Sequence, residues 1–277
     1  MTGKIFAIEE FATFDGPGIR MNVFMKGCPL RCEWCHNPEG QSCGVEYKRS
    51  PNGCKACGAC LRAGEGRLTE KSVAACPNRL VRRCDEDISV EKLCEKVEKN
   101  AAILLASGGG VTFSGGEPLM QGDFVRACMI RLQKKVSCAL QTSGYADEKT
   151  FKAVLDVCDY VLYDLKLFDP VLHEKYCGKD NAPILANYRT LVSSGKSFVT
   201  RIPLIPGVTD TETNSASLAD FMNSLGVDTV ELLPYNKFTG SKYASLLRKY
   251  EPSFDDKKEP SRRIDIFEKR GIRAVIL

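Results

Sequence analysis

Short apolar runs alternate with amphipathic segments through most of this 277-residue chain, and that alternation limits its architecture more than any other feature. The apolar runs predict strands over 19–26, 111–114, 138–141, 159–165, 198–202 and 229–233. The segments between them predict a helix opening at Ser89 and helices over 121–134, 147–157, 211–225 and 260–270, with two more inside 169–194. Ser89, ahead of Val90-Glu91-Lys92, suits an N-cap because a serine hydroxyl accepts from a free N–H of the first turn. Strands and helices in regular alternation imply βαβ units and a parallel sheet. Six such strands fit an α/β fold of the partial (β/α)6 barrel kind. Chemistry in such folds belongs at the C-terminal ends of the strands, and every polar motif described below falls at such an end.

The count that stands out is fourteen cysteines. In a small secreted chain that number would indicate disulfides. This chain is not small, and its start, MTGKIFAIEEF, lacks a basic segment followed by an apolar run, so no export signal is predicted. Half of the cysteines fall in tight clusters, which favours metal binding in a reducing cytoplasm. His36 and His173 are the only histidines, which argues against His-rich zinc sites and zinc-dependent hydrolysis. A net charge of +4 and 27% charged residues are ordinary for a soluble globular protein. Neither a nucleic acid nor a membrane partner is expected, and no apolar stretch approaches the ~18 residues of a spanning helix.

The first cluster is Gly27-Cys28-Pro29-Leu30-Arg31-Cys32-Glu33-Trp34-Cys35-His36-Asn37. Three thiolates at this spacing can hold three irons of a [4Fe–4S] cubane, because thiolate is the soft ligand such clusters need. No fourth cysteine follows at a natural spacing, so one iron would stay open to a small molecule. An open iron can chelate the amino and carboxylate groups of S-adenosylmethionine and pass one electron to its sulfonium. The alternative, a zinc site, would want a fourth ligand such as His36.

Residues 37–88 differ in character. They are rich in Cys, Gly and Arg, lack apolar periodicity, and read as an inserted module that a cluster must staple. Cys54, Cys57 and Cys60 form CxxCxxC, and Cys76-Pro77 follows at a distance. That pattern resembles a one-cluster ferredoxin with four thiolates around a closed cubane suited to electron transfer or structure. Cys43 or Cys84 could replace Cys76 as the fourth ligand, and a four-cysteine zinc site remains an alternative. Cys94, Cys128, Cys138, Cys158 and Cys177 lie in or beside predicted helices and strands and read as small buried hydrophobes.

Asp15-Gly16-Pro17-Gly18-Ile19-Arg20, the Cys28 cluster and Ser114-Gly115-Gly116-Glu117-Pro118, in that order, resemble the radical S-adenosylmethionine enzymes that activate glycyl radical enzymes. The resemblance spans most of the chain. It implies a barrel over 1–36 and 89–277 with a ferredoxin-like insert over 37–88. It also implies an activity: reductive cleavage of S-adenosylmethionine, then removal of a Cα hydrogen from one glycine of a partner enzyme. A transient protein partner, a flavodoxin- or ferredoxin-type reductant, an anaerobic cytoplasmic setting and a monomeric chain go with it. Two rival readings stand beside it, a radical enzyme with a small-molecule substrate and a ferredoxin-like electron carrier.

Site residues follow from motif and resemblance together. Two glycines at 115 and 116 permit close backbone approach, and the Glu117 carboxylate can receive an ammonium. In the family the stretch from Ser114 binds the methionine amino group. Gln141 and Ser143 end the next strand; Asp164, Leu165 and Lys166 end the one after. The resemblance puts all of these, with Trp34 and His36, against the cofactor, and puts a monovalent cation near Asp164. Relatives carry Asp where Gln141 stands, so one negative ligand is missing here. Arg201 suits a two-pronged contact to a carboxylate, either that of the cofactor or Asp15, with a barrel-wall ion pair as the alternative. Asn236 stands where the family often has His, and cannot titrate near neutral pH. Asp15-Gly16-Pro17-Gly18 is a tight turn, and the resemblance has Asp15 orient the partner's glycine loop.

Overall fold

The computed structural model describes residues 1–277. Its strands are β1 (Thr2–Ala12), β2 (Arg20–Met25), β3 (Tyr47–Arg49), β4 (Val81–Arg83), β5 (Glu86–Ser89), β6 (Gly110–Gly115), β7 (Ser137–Thr142), β8 (Tyr160–Asp164), β9 (Ser197–Leu204), β10 (Thr229–Pro234) and β11 (Arg273–Ile276). Nine of them form one sheet in the order β11-β10-β9-β8-β7-β6-β2-β1-β5. From β2 to β11 every neighbouring pair is parallel. The six predicted strands are β2 and β6 to β10. All share one direction, so their C-terminal ends gather at one rim.

Between the strands run α1 (Ala59–Ala63), α2 (Glu70–Ala75), α3 (Val90–Lys99), α4 (Ala101–Ala106), α5 (Gly122–Leu132), α6 (Glu148–Leu155), α7 (Pro170–Cys177), α8 (Ala182–Ser193), α9 (Glu212–Ser224), α10 (Thr239–Ser245) and α11 (Ile264–Glu268). The Ser89 hydroxyl accepts from Lys92 N–H at the start of α3, and Asp147, Asp169 and Thr211 cap α6, α7 and α9 in the same way. Strand residues such as Val111, Phe113, Leu140 and Val161 pack against Phe124, Phe151, Tyr188 and Leu218 of the helices in one apolar cluster. Burial of each such side chain stabilises the fold by about 1.5–3 kcal/mol. Cys94, Cys128, Cys138 and Cys158 belong to that cluster. No helix is long and apolar enough to cross a membrane.

Five strands were not expected from the sequence, three of them in the main sheet. β1 pairs antiparallel with β2, and β5 pairs antiparallel with β1, through Gly3 opposite Ile88 and Lys4 opposite Asp87. The main sheet therefore takes in residues 86–88, the end of the stretch read as an insert. β11 extends the other edge beside β10. The final helix spans only Ile264–Glu268 rather than 260–270, because Arg263 ahead of it adopts a left-handed conformation.

Inside the insert, β3 and β4 make a two-stranded sheet, while α1 and α2 are single short turns. No residue from 36 to 87 joins any apolar cluster of the chain. Its order comes instead from local polar contacts. The buried Ser72 hydroxyl donates to the carbonyl of Cys60, and Thr69 and Ser72 close a capping box at α2.

Candidate active site

The loop that follows β2 carries Cys28, Cys32 and Cys35, and its backbone is tied down on two sides. Gly27 and Cys28 N–H donate to the carbonyls of Gly40 and Gln41 at 2.8 and 3.2 Å. Arg31 and Glu33 N–H donate to the carbonyls of Cys177 and Tyr176, the last residues of α7, at 2.7 and 3.1 Å. Those carbonyls are free because a helix leaves its last C=O groups unpaired. Gly178 ends α7 at φ +77°, and a Cβ there would stand 3.1 Å from the Arg31 Cβ. Trp34 is buried on Leu167, Cys177, Ile205, Val208 and Tyr235.

The three thiols line a cavity of ≈ 180 Å³ together with Ser114–Glu117, Gln141–Ser143, Asp164 and Lys166. Trp34, His36, Asn37, Ser114 and Gln141 also line a second space of ≈ 520 Å³, which reaches Glu9, Asp15, Arg201, Asn236 and Lys242. The two spaces thus adjoin and share these walls at the rim. Burial pushes the Cys35 thiol up to about 11 and raises Cys28. Cys32 is raised first by the neighbouring Cys177 side chain, then by burial. Neutral thiols are favoured here until positive charge enters the cavity, as an iron cluster would bring. No three His, Cys, Asp or Glu side chains of the chain converge closely enough by themselves to hold a metal ion.

The other predicted residues fall into distinct roles. Glu117 is 1% exposed, and its carboxylate accepts from Thr142 Oγ1 at 2.5 Å, Ser143 Oγ at 2.6 Å, Ser143 N–H at 2.9 Å and Leu119 N–H at 3.2 Å. Burial raises its pKa despite those bonds. The sequence reading had this carboxylate receive an ammonium; the structure gives it four protein donors, so it clamps the end of β6 to the end of β7. The glycines before it serve the chain in the same way. A Cβ on Gly116 would stand 2.3 and 2.4 Å from the carbonyl oxygens of Gly27 and Gly40, so only glycine lets the three segments meet.

Lys166 Nζ donates to Asp164 Oδ2 at 3.0 Å. Burial opposes the ammonium, but the charges of Asp164 and nearby thiols outweigh it and raise the pKa. Asp164 Oδ1 is buried without a hydrogen-bond partner, although Asp164 lines the cavity. Such an atom calls for a donor from a ligand. Gln141 Oε1 accepts from Ser114 Oγ at 2.9 Å. Leu165 does not line the cavity; its side chain is in the core and its N–H bonds Arg201. Asn236 Nδ2 and His36 Nε2 lie 3.4 Å apart, and His36 Nδ1 lies 3.4 Å from Thr239 Oγ1.

Arg201 is 4% exposed and holds three partners at once. It donates to Glu231 Oε2 at 2.7 Å and to the carbonyl of Phe14, and it stands 3.9 Å from Asp15 Oδ1. Of the three partners weighed for it from sequence, Asp15 and a barrel-wall carboxylate are both engaged, beside the cofactor carboxylate that was the third. Asn22 Nδ2 donates to Asp15 Oδ2 at 2.6 Å, which fixes the turn from below. Sequence reasoning missed Asn22 and Glu231. The signal was available, since each is a polar side chain inside a predicted apolar strand.

The insert thiols stand in a different setting. Cys57 is exposed, Cys54 and Cys76 are half-buried and Cys60 is buried. Cys76 Sγ accepts from Leu80 N–H at 3.3 Å, and this bond leads the causes that lower its pKa. Cys84 is buried and raised by that burial. Cys43 packs against the Gly27 backbone, 2.5 Å from where a Cβ would stand. Between Cys76 and Cys84, both weighed as fourth ligand, Cys76 is the one disposed toward thiolate.

Comparison with known proteins adds a consistent set of likenesses. The model of the radical SAM superfamily matches residues 22–219. The (2S)-3-sulfopropanediol dehydratase activating enzyme of Klebsiella oxytoca is 36% identical, over 99% of this chain and 96% of its own. The pyruvate formate-lyase 2-activating enzyme of Escherichia coli is 37% identical, over 88% of this chain and 80% of its own. Among solved structures, spore photoproduct lyase superposes with a TM-score of 0.53 over 98% of this chain and 80% of its own; at 9% identity this speaks to the fold alone.

Proposed function

The chain belongs to the radical SAM superfamily and to its group of activating enzymes for glycyl radical enzymes, and from that membership we infer how its own residues divide the work. Its fold is the partial barrel of that superfamily, and its activity is the activation of a partner glycyl radical enzyme. When bound, the [4Fe–4S] cluster and S-adenosylmethionine supply, by one-electron cleavage of the sulfonium, a carbon radical that takes a hydrogen atom from Cα of a partner glycine.

The observation that carries the assignment of residues is the shared cavity, which three half-buried cysteines line together with Asp164, whose Oδ1 is buried without a partner. Cys28, Cys32 and Cys35 are the proposed cluster ligands. Asp164 Oδ1 offers an acceptor to a hydroxyl or ammonium of the cofactor, and Lys166 supplies a positive charge beside it. Glu117 acts at one remove by fixing Ser143 and the glycine turn. Arg201 and Asn22 hold Asp15 at the mouth of the larger space, where it can take hydrogen bonds from a glycine loop of the partner. Asp164 already carries the Lys166 ammonium and Gln141 is uncharged, which supports a site that works without an added monovalent cation. Cys54, Cys57, Cys60 and Cys76 are the proposed ligands of a second, closed cluster, and an acidic flavodoxin or ferredoxin is the proposed source of electrons.

The test is direct. Protein reconstituted with iron and sulfide without oxygen, then reduced in the presence of S-adenosylmethionine, is expected to release 5′-deoxyadenosine. Mixed with its glycyl radical enzyme it is expected to give a glycine-centred doublet in electron paramagnetic resonance. Release of 5′-deoxyadenosine without a doublet on any glycyl radical enzyme, together with turnover of a small molecule, would replace this reading by the small-molecule one.

A further inference from the structure

The charge of this chain is unevenly placed. Residues 47–84 hold nine Lys and Arg against two acidic residues, Glu65 and Glu70, so this stretch is +7 in a chain whose net charge is +4. The remaining residues are therefore net negative. At the seam with the barrel the charges are neutralised: Glu46 pairs with the buried Lys26 and with Arg248, Glu39 with Lys48, and Asp85 with Lys4 and Arg83. Away from the seam they are not. Lys55, Arg62, Arg67, Lys71, Arg79 and Arg82 are all exposed. None of them stands within 4.0 Å of a carboxylate, whereas eighteen such contacts occur elsewhere in the chain. Six unpaired like charges on so small a module raise its self-repulsion, a cost that a partner of opposite charge would relieve.

Three of the module's cations lie beside its cysteines. Lys55 lies between Cys54 and Cys57, Arg62 donates to the Cys57 carbonyl at 3.0 Å, and Arg49 reaches Cys60 Sγ at 3.7 Å. Cys57 itself is exposed. The larger space of the barrel, where a substrate glycine must arrive, is reached instead past Glu9 and Asp15. Tyr47 is the only aromatic residue in 47–84, and its hydroxyl is bound to Glu70. The module therefore has no stacking platform for nucleic-acid bases.

We propose that the exposed basic face of residues 47–84 is the docking surface for an acidic electron-donor protein. This rests on the reading of the chain as an activating enzyme, which consumes one electron for each S-adenosylmethionine cleaved. The donor is oxidised by one electron and the iron–sulfur centre of this chain is reduced by one; no bond is made and no proton moves. Long-range attraction between the +7 module and the donor speeds encounter and orients it with its redox group toward Cys57.

The experiment uses the reconstituted holoenzyme and a variant with Arg67→Glu, Lys71→Glu and Arg82→Glu, three exposed positions away from the proposed ligands. Iron–sulfur reduction is followed in a stopped flow with a reduced acidic ferredoxin, and separately with photoreduced 5-deazariboflavin, which is small and uncharged. With ferredoxin at low ionic strength the variant is expected to be slower by about tenfold or more. The wild-type rate should fall as salt is added, while the variant rate stays flat. With deazariboflavin, both the reduction rate and the yield of 5′-deoxyadenosine should be unchanged. Equal ferredoxin rates in the two proteins would overturn the proposal. So would a variant that keeps its ferredoxin rate but loses glycyl radical formation, since the face would then serve the radical enzyme. Absence of 5′-deoxyadenosine from the wild type under deazariboflavin would overturn the activating-enzyme reading instead, and the reduction rates would still report on docking.

Discussion

The two cysteine clusters of this chain are stabilised in opposite ways. The loop from Cys28 to Cys35 is shaped by its surroundings: α7 takes two of its N–H groups, Gly40 and Gln41 bind its first residues, and Trp34 anchors it in an apolar pocket. The segment from Cys54 to Cys76 has no apolar cluster under it and a surface crowded with cations. The barrel can therefore hold an open site in place before any ligand arrives, which a centre with one missing protein ligand requires. The insert has local polar contacts in place of a core, so a cluster on its thiols, as proposed, would add to its order in the way that metal orders other small domains. Preorganisation belongs to the first cluster and exposure to the second, which is the division expected between a site of chemistry and a site of electron entry.

The largest effect should come from exchanging one thiol in each cluster. Cys32→Ala is expected to bring 5′-deoxyadenosine formation down to background and to remove about half of the bound iron. Cys57→Ala should remove the other half, yet leave 5′-deoxyadenosine formation under photoreduced deazariboflavin. Iron analysis and product chromatography on the two variants read both quantities. If Cys57→Ala also abolishes cleavage under a small reductant, the two clusters are not separable and the comparison breaks.

How far the sequence carried this picture depended on whether a feature was local. The six parallel strands were legible because each is an apolar run bounded by turns. The rim motifs were legible because strand ends are where loops begin. β1 and β5 were not, because in these last two strands of the sheet Glu9 and Glu10 or Glu86 and Asp87 stay in water and blur the alternation. β11 is four residues long and carries no period of its own. The roles of Glu117 and Arg201 depended on tertiary contacts. Glu117 looked like a ligand because only Leu119 N–H in its own segment uses the carboxylate; its other donors come from Thr142 and Ser143 at the end of the next strand. Arg201 and Glu231 are opposite one another in register, which is known only once β9 and β10 are neighbours.

Glu117 gives the next test, of intermediate size, and sharpens the claim that the open site is built by the chain rather than by its ligand. Glu117→Gln keeps the shape but sets an amide N–H₂ against donors from Ser143, Thr142 or Leu119. One buried donor left without an acceptor costs about 1–3 kcal/mol. Urea unfolding of the iron-free protein should show that loss. No change would mean that the clamp forms only when cofactor is bound.

The smallest effect concerns the helix on which the first cluster leans. His173, in the middle of α7, is 1% exposed. Its Nδ1 lies 2.6 Å from the carbonyl of Lys179, which can only accept, so Nδ1 carries the proton and Nε2 is the bare nitrogen. That Nε2 is buried without a partner. Burial first, and the Lys166 charge besides, lower its pKa against the single bond to Lys179 and the charge of Asp180. For a base whose pKa is lower in the folded state, the stabilisation is present above the ordinary histidine value near ~6.5 and is lost as pH falls toward the lower folded value. Acid should therefore loosen α7 before the rest of the barrel, and with it the bonds from Cys177 and Tyr176 to Arg31 and Glu33. Thermal unfolding of the iron-free protein is expected to show a midpoint that declines as pH drops below neutrality. His173→Gln, which cannot take up a proton, should flatten that decline whatever it does to the midpoint itself. An equally steep decline in His173→Gln would assign the acid sensitivity to another group. The ordered loop would then owe its pH response to something other than the helix end that holds it.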